Sequence, residues 1–324
     1  MRFTNFTALA AAALLTAGAA TAQDRDGWPS SITVGTASQG GVYFVYGNGL
    51  AAFISEELGV SGSGEVTGGP VQNVTLVQMG EHDLGLVTMG PMFEAWTGQS
   101  ELAPGLEHTD VRALFPMYET PFQGIALRGQ NITSIADLEG KRVSVGPAGG
   151  TPGTYWPRFI EELGVTANIS FAGASDAASQ LQDGLIDAFV FAAGLPIAAF
   201  SQLAAEADVR TFTFSEEEHA QVLEAFPEVS SFTIPGGTYT VQDEDQPSIA
   251  MWNFAVVHQN MPESLAYEIT KLVMENNDRM MQIHAAAAAT LPENYENNSF
   301  LPFHPGAVRW FEENGYEIPD DLRG

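Results

Sequence analysis

One design is written twice along this chain. The first copy runs Val34-Gly35-Thr36-Ala37, then Gly40-Gly41 and Tyr43, and closes on Glu56-Glu57-Leu58-Gly59-Val60. The second runs Val145-Gly146-Pro147-Ala148, then Gly149-Gly150, Gly153 and Tyr155, and closes on Glu161-Glu162-Leu163-Gly164-Val165. Each copy leads to a further element: Gly80-Glu81-His82-Asp83 before Leu84-Gly85-Leu86-Val87, and Gly184-Leu185-Ile186-Asp187 before Ala188-Phe189-Val190. Strand–glycine–helix units recur in all α/β proteins, so one match would mean little. Three elements in the same order at nearly constant separation predict two α/β lobes of like design. Two such lobes enclose a cleft.

The chain opens on a targeting pattern. Arg2 precedes an apolar, alanine-rich run from Phe6 to Ala20, and Ala20-Thr21-Ala22 is a small-x-small cleavage site. The run is short for a membrane span, so residues 1–22 are expected to be a signal peptide and the mature chain a periplasmic, soluble monomer. Cysteine is absent, which excludes disulfides, thiol nucleophiles and a lipidated cysteine. About two domains' worth of chain remains, enough for an unstapled core. Forty acidic residues against twelve basic ones give a net charge of −28, which repels nucleic acid and anionic membranes. No calcium-loop spacing accompanies the carboxylates, so they read as a solvated acidic surface.

Periodicity and punctuation place the elements. Strands are predicted at Ile32–Gly35, Glu65–Thr67, Leu84–Met89, Val111–Tyr118, Gly124–Arg128, Arg142–Gly146, Ile169–Phe171, Ile186–Phe191, Val209–Phe214 and Ile249–His258. Helices are predicted at Val42–Leu58, Pro70–Met79, Gly90–Trp96, Ser134–Leu138, Gly153–Leu163, Ser175–Gln182 with Ser175 as cap, Pro196–Ala205, Glu216–Phe226 and Pro262–Ala288, with a last one opened by His304-Pro305. Pro121 is expected to break the chain. The alternation predicts two parallel-type sheets. The first lobe would comprise residues 23–119 plus 251–324 and the second residues 120–250, joined by a two-strand hinge near Tyr118–Phe122 and Gln246–Trp252.

Catalytic constellations are missing. Ser61, with Ser63 two places on, fits a nucleophile elbow only loosely. The six histidines are scattered without a zinc-type pair, and no phosphate-loop or dinucleotide pattern occurs. No catalytic residue, metal ligand or cofactor is assigned. Binding chemistry is better represented. Gly40-Gly41 and Gly149-Gly150 each follow a strand and open a helix, where open α/β sheets place ligands. Helix N-termini present unpaired N–H groups and positive partial charge, so one such tip per lobe would grip an anion. Tyr43 and Tyr155 stand just beyond the glycines as walls or as core, and Arg158 and Arg128 are candidate counter-charges or surface pairs. Asn73 reads as an amide donor or a helix cap, and Thr88 and Met89 as cleft floor.

Taken in order, these blocks are similar to the TAXI family, the extracytoplasmic solute-binding subunits of tripartite ATP-independent periplasmic (TRAP) transporters. The resemblance rests on Val34-Gly35-Thr36 with Gly40-Gly41-Val42-Tyr43, Thr67-Gly68-Gly69 with Asn73, and Gly80 with Asp83. It continues through Asp137–Val143, Gly146-Pro147-Ala148-Gly149, Asp187-Ala188-Phe189, Gly194 with Pro196, Ile234–Tyr239 and His304–Ala307. It implies an α/β bilobal type II periplasmic-binding-protein fold, no enzymatic activity, and delivery of a small organic acid, a carboxylate, to an ion-gradient-driven TRAP permease. Family cleft positions map to Tyr43, Asn73, Thr88, Gly149, Gly150, Thr151 and Pro196. The chain departs from the family in having Pro70 where serine is common and Thr88 where glutamine is common. Two other functions share this outline: a sensor that docks on a membrane receptor, and a two-lobed transferase.

Overall fold

A computed structural model describes residues 25–324. The signal-peptide expectation, on residues 1–22, lies outside the described residues. The chain builds β1 (Ser31–Gly35), α1 (Val42–Leu58), β2 (Ser61–Glu65), α2 (Pro70–Gln78), β3 (Leu84–Thr88), α3 (Met89–Trp96) and the long strand β4 (Val111–Leu127). It continues with β5 (Arg142–Ser144), α4 (Thr151–Glu162), β6 (Asn168–Ser170), α5 (Ala174–Gln182), β7 (Ala188–Ala192), α6 (Ala198–Glu206), β8 (Val209–Phe212), α7 (Glu216–Ala225) and β9 (Ser230–Ile234). A second long strand, β10 (Gln246–His258), precedes α8 (Glu263–Met274), α9 (Asn277–Ile283) and α10 (Pro305–Glu313). Among the described residues no helix is long and apolar enough to cross a membrane.

The strands run in the order β2-β1-β3-β10-β4-β7-β5-β6, with β8 added to β4 and β9 to β10. β1 pairs with β2 and β3 in parallel, and β5 with β6 and β7 in parallel. These are two equivalent three-strand units, each fed by crossover helices. The long strands β4 and β10 lie antiparallel to each other and to their neighbours. The sheets are therefore mixed, not purely parallel as expected.

Pro121 does not break the chain; β4 runs through Pro116 and Pro121 without interruption. A proline has no N–H to give a ladder, and Pro121 sits where the strand changes partners. Up to Pro121, which faces Ala250, β4 pairs with β10; from Phe122 onward it pairs with β7. Pro116 faces Phe254 beside a register shift in β10. Both prolines thus occupy points where the ladder is already irregular.

Three smaller expectations fail, and one strand was not expected. The first edge strand is Ser61–Glu65, not Glu65–Thr67, because its Ser-Gly-Ser-Gly-Glu sequence carries no apolar alternation to reveal it. Strand β9 was not foreseen. Gly173 rather than Ser175 is the N-cap of α5. The predicted single helix Pro262–Ala288 is divided between α8, α9 and a 3-10 turn at Ala285–Ala289. By contrast α7 begins with a full capping box: Ser215 Oγ accepts from Glu218 N–H, and the Glu218 carboxylate accepts from Ser215 N–H at 2.7 Å.

The apolar interior falls into two clusters. One gathers α1, β3, β4, α8 and α10 but also reaches Ala174, Phe189, Phe191 and Phe200 across the cleft. The other is aromatic: Phe122, Trp156, Phe159 and Phe214 pack together, with Trp156 stacked on Phe214 at 5.4 Å. The buried His304 opens α10, its Nδ1 accepting from Gly306 N–H at 3.2 Å. Burial holds the imidazoles of His304 and His284 below the ordinary value of 6.5. The unfolded chain therefore binds more protons than the folded one as pH falls through 6.5, and stability falls with it. The lowered carboxylates of Asp137, hydrogen-bonded by Thr133, and Asp187, held by Arg142, contribute stability that is lost only below about pH 4. The urea midpoint is expected to be lower at pH 5.5 than at pH 7.5. His304→Asn, which keeps a cap acceptor, should flatten that slope; an unchanged slope in both His304→Asn and His284→Asn would contradict it.

Candidate functional site

Helix N-termini and short loops from both sides of the crossing strands meet around a cavity of about 30 Å3. From the β1–β3 side come Ala37, Ser38, Gly41, Val42, Tyr43, Gly69, Pro70 and Thr88. From the β5–β7 side come Pro147, Gly150, Thr151, Pro152, Phe191, Ala192 and Ala193, with Thr120 of β4 as the floor between them. Gly41 is the N-cap of α1 and Gly150 the N-cap of α4, each without a side-chain cap. The two glycine-led tips therefore share one hollow. The lining holds no Asp, Glu, Lys, Arg or His.

Polar side chains at the floor satisfy one another. Asn253 Oδ1 accepts from the Tyr43 hydroxyl at 2.6 Å and from Thr88 at 2.9 Å. Its Nδ2 donates to the Tyr118 carbonyl at 2.6 Å and to Thr120 Oγ1 at 2.7 Å. Thr151 in turn donates to Thr88 Oγ1 at 2.8 Å, which links the two sides of the cleft. Burial pushes the Tyr43 phenol far above its ordinary value, so it remains neutral. With these hydroxyl protons engaged, the donors left at the cavity are the Ser38 hydroxyl, whose Oγ accepts from Ala174, and the first-turn amides of α1 and α4, of which Pro152 supplies none.

The lobes are closed on each other through backbone. Ser175 N–H donates to Gln39 O at 3.2 Å, Ala199 N–H to Gly40 O at 3.2 Å, and Ala174 N–H to Ser38 Oγ at 3.2 Å. One loop of the first side thus caps α5 and α6 of the second. In return Gly149 O accepts from Val71 N–H, in the first turn of α2, at 3.1 Å. Gly40 has φ +84, which favours glycine, and a Cβ there would lie 2.6 Å from Ser175 Oγ. At the lip the contact is backbone on backbone: a Cβ on Gly69 would lie 2.9 Å from Gly150 Cα. Three helix tips are therefore capped across the cleft, while those of α1 and α4 face the cavity.

The structure separates the sequence-predicted site residues into three groups. Gly41, Tyr43, Thr88, Gly150 and Thr151 line the cavity. Gly40 and Gly149 lie next to it and form the closure contacts just described. Asn73, Tyr155, Arg158 and Pro196 lie elsewhere. The Asn73 amide is fully buried and donates to Gly35 O, Thr36 O and Leu86 O at 3.1, 2.7 and 2.8 Å. Tyr155 and Arg158 border a separate cavity of about 740 Å3 behind α4, with Glu94, Trp252 and Phe300. There the Tyr155 hydroxyl donates to Glu94 at 3.0 Å, and Arg158 pairs with Glu94 and, at 3.2 Å, with Glu101. Arg128 pairs with Asp208 at 3.2 Å. Pro196 follows a cis peptide and its carbonyl meets His284.

Sequence reasoning missed Ser38, Thr120, Phe191 and the hub Asn253. Asn253 left one signal: it is the lone amide inside the apolar run Ile249–Val257. Among the described residues no group of three His, Cys, Asp or Glu is placed to hold a metal.

Two α/β lobes joined by crossing strands and closed over a central cavity are the bilobal fold of periplasmic-binding proteins. The chain is similar in fold to an ancestral arginine-binding protein bound to arginine (TM-score 0.50, 17% identity, covering 79% of this chain and 97% of the other). It is also similar to a protein of Bordetella bronchiseptica RB50 (TM-score 0.51, 15% identity, 90% and 86% covered). A model of the NMT1-like family matches residues 34–315, and the chain belongs to that family.

Proposed function

We propose that this protein captures a small carboxylate between its two lobes outside the cytoplasm and hands it to a membrane permease of the TRAP type. The observation that carries the reading is the pair of uncapped helix tips, Gly41 of α1 and Gly150 of α4, at one cavity. That cavity is free of acidic side chains in a chain that has forty. A helix dipole contributes about 0.3–1 kcal/mol, whereas micromolar binding requires about −8 kcal/mol. Amide hydrogen bonds to a charged carboxylate, at about 1.5–3 kcal/mol each, must carry most of that. A water-shielded pair of helix tips offers several of them.

Capture works by closure. Residues 23–119 with 251–324 and residues 120–250 are proposed to move as two bodies about β4 and β10, which both bodies share. The ligand favours the closed form because only there do both tips reach it. The cross-cleft caps on α2, α5 and α6 lower the cost of closing, since each replaces a water at a helix end. Catalysis finds no support here: the lining has no His, Cys or carboxylate, and the hydroxyls of Tyr43, Thr88 and Thr151 are hydrogen-bonded within the protein. The TRAP assignment is supported by the ordered resemblance from Val34 to Ala307.

The test is thermal unfolding and calorimetry with small carboxylates and their uncharged amides at fixed ionic strength. A carboxylate at a hundred times its Kd should stabilise by about 2.7 kcal/mol, a rise of several degrees, while the matching amides do nothing. Equal responses to amides or sugars, with none to any carboxylate, would overturn the reading.

A further inference from the structure

The cavity that the two lobes enclose restricts the carboxylate to one class. We infer that the ligand is a short aliphatic monocarboxylate with no second charged group; this rests on the carboxylate reading above.

Size gives the first limit. The hollow is about 30 Å3, only two or three water-sized positions at about 10–15 Å3 each, which leaves no space for a long chain. The lip cannot yield more room while closed, because Gly68-Gly69 and Gly149-Gly150 meet backbone to backbone and Val71 N–H is bonded to Gly149 O. A longer ligand would hold the lobes apart and forfeit the caps on α2, α5 and α6.

Charge gives the second. An amino acid brings an ammonium group, which needs an acidic partner when buried; none lines the cavity. A dicarboxylate brings a second anion. The first is served by the tips of α1 and α4. The rest of the lining, with Ala37, Ser38, Pro147, Phe191, Ala192 and Ala193 among it, offers an anion no cationic side chain. Of the arginines that the sequence suggested, Arg158 faces the other cavity and is held by Glu94 and Glu101, and Arg128 pairs with Asp208.

Apolarity gives the third. That same alanine and phenylalanine wall suits methyl and methylene groups, whose burial is favourable by area. The hydroxyls of Tyr43, Thr88 and Thr151 donate to protein acceptors, which leaves Ser38 as the one lining hydroxyl without a protein acceptor, too few donors for a sugar acid.

The experiment is isothermal titration of the mature protein with acetate, propionate, butyrate, hexanoate, succinate, glutamate and 2-oxoglutarate. Affinity should rise about fourfold per methylene over the short acids, then fall at hexanoate. The three acids with a second charged group should bind at least about 100-fold more weakly than the best short acid. Val42→Ala, which enlarges the wall, should move the optimum to a longer chain; Ala193→Val, which fills it, should move it to a shorter one. Tight binding of succinate, glutamate or 2-oxoglutarate with none of the short acids would overturn this inference and leave carboxylate capture standing. Binding of no carboxylate at all would overturn both.

Discussion

Gly41→Asp should abolish propionate binding, by at least about 100-fold, while leaving the ligand-free protein as stable as before or slightly more so. The two effects have opposite signs because they share one cause. Gly41 sits at the N-cap of α1 with φ −92 and ψ 165, a conformation open to any residue, and its added Cβ would lie 3.6 Å from Phe191 and 3.3 Å from Ser38 O, a close contact that a few tenths of an ångström of movement relieves. Aspartate is among the preferred N-caps, and capping contributes about 0.5–1 kcal/mol here. The new carboxylate then takes the amides that the ligand would use. It also sets a like charge beside the ligand, a repulsion of about 4 kcal/mol at 4 Å for an effective dielectric of 20. Gly41→Asn caps equally well without charge and should weaken binding only about tenfold. Calorimetry paired with urea titration reads both quantities. Undiminished affinity in the aspartate variant would mean that α1 does not face the ligand.

Asn73→Ala should be the most damaging single truncation outside the aromatic cluster, costing roughly 3–5 kcal/mol. Its amide ties the ends of β1 and β3 together through Gly35 O, Thr36 O and Leu86 O, while its Oδ1 accepts from Thr67 at 2.7 Å. Truncation removes the two N–H donors that these three buried carbonyls share and opens a void. The melting temperature should fall by on the order of 10 °C, with propionate affinity in the folded fraction nearly unchanged. Intact stability with lost affinity would make Asn73 a ligand residue instead.

Asn73 shows where sequence reading stops. Its type and its place in the first turn of α2 were legible, and an amide donor or a cap were both fair readings. Whether the amide points into a cleft or beneath it depends on how α2 sits on the sheet, which no local pattern records. Tyr155 shows the same limit. It lies one helical turn after Thr151, about 6 Å along the axis, and that distance carries it out of the cavity between the helix tips and onto Glu94. Tyr43 has the glycine-led setting in common with it, yet its hydroxyl reaches Asn253 at the cavity floor.

The chain by itself determined its units. Apolar runs that stop at glycine, and helices whose apolar residues fall close to helical spacing such as Val42–Leu58, are set by local sterics and by the period of burial, so they can be read from residue order. The repeated Gly-Gly before a helix likewise fixed where backbone amides would be exposed. Only the tertiary structure decided that β4 and β10 run unbroken between the two sheets, since a ladder can change partner at a proline and no sequence signal reports the change. It also decided which glycine of each pair faces the cavity and which makes the contacts across the cleft, and that the cavity wall carries no charge. Those outcomes depend on how two surfaces, distant in the chain, meet across the cleft, and contacts of that kind are written in space and not in residue order.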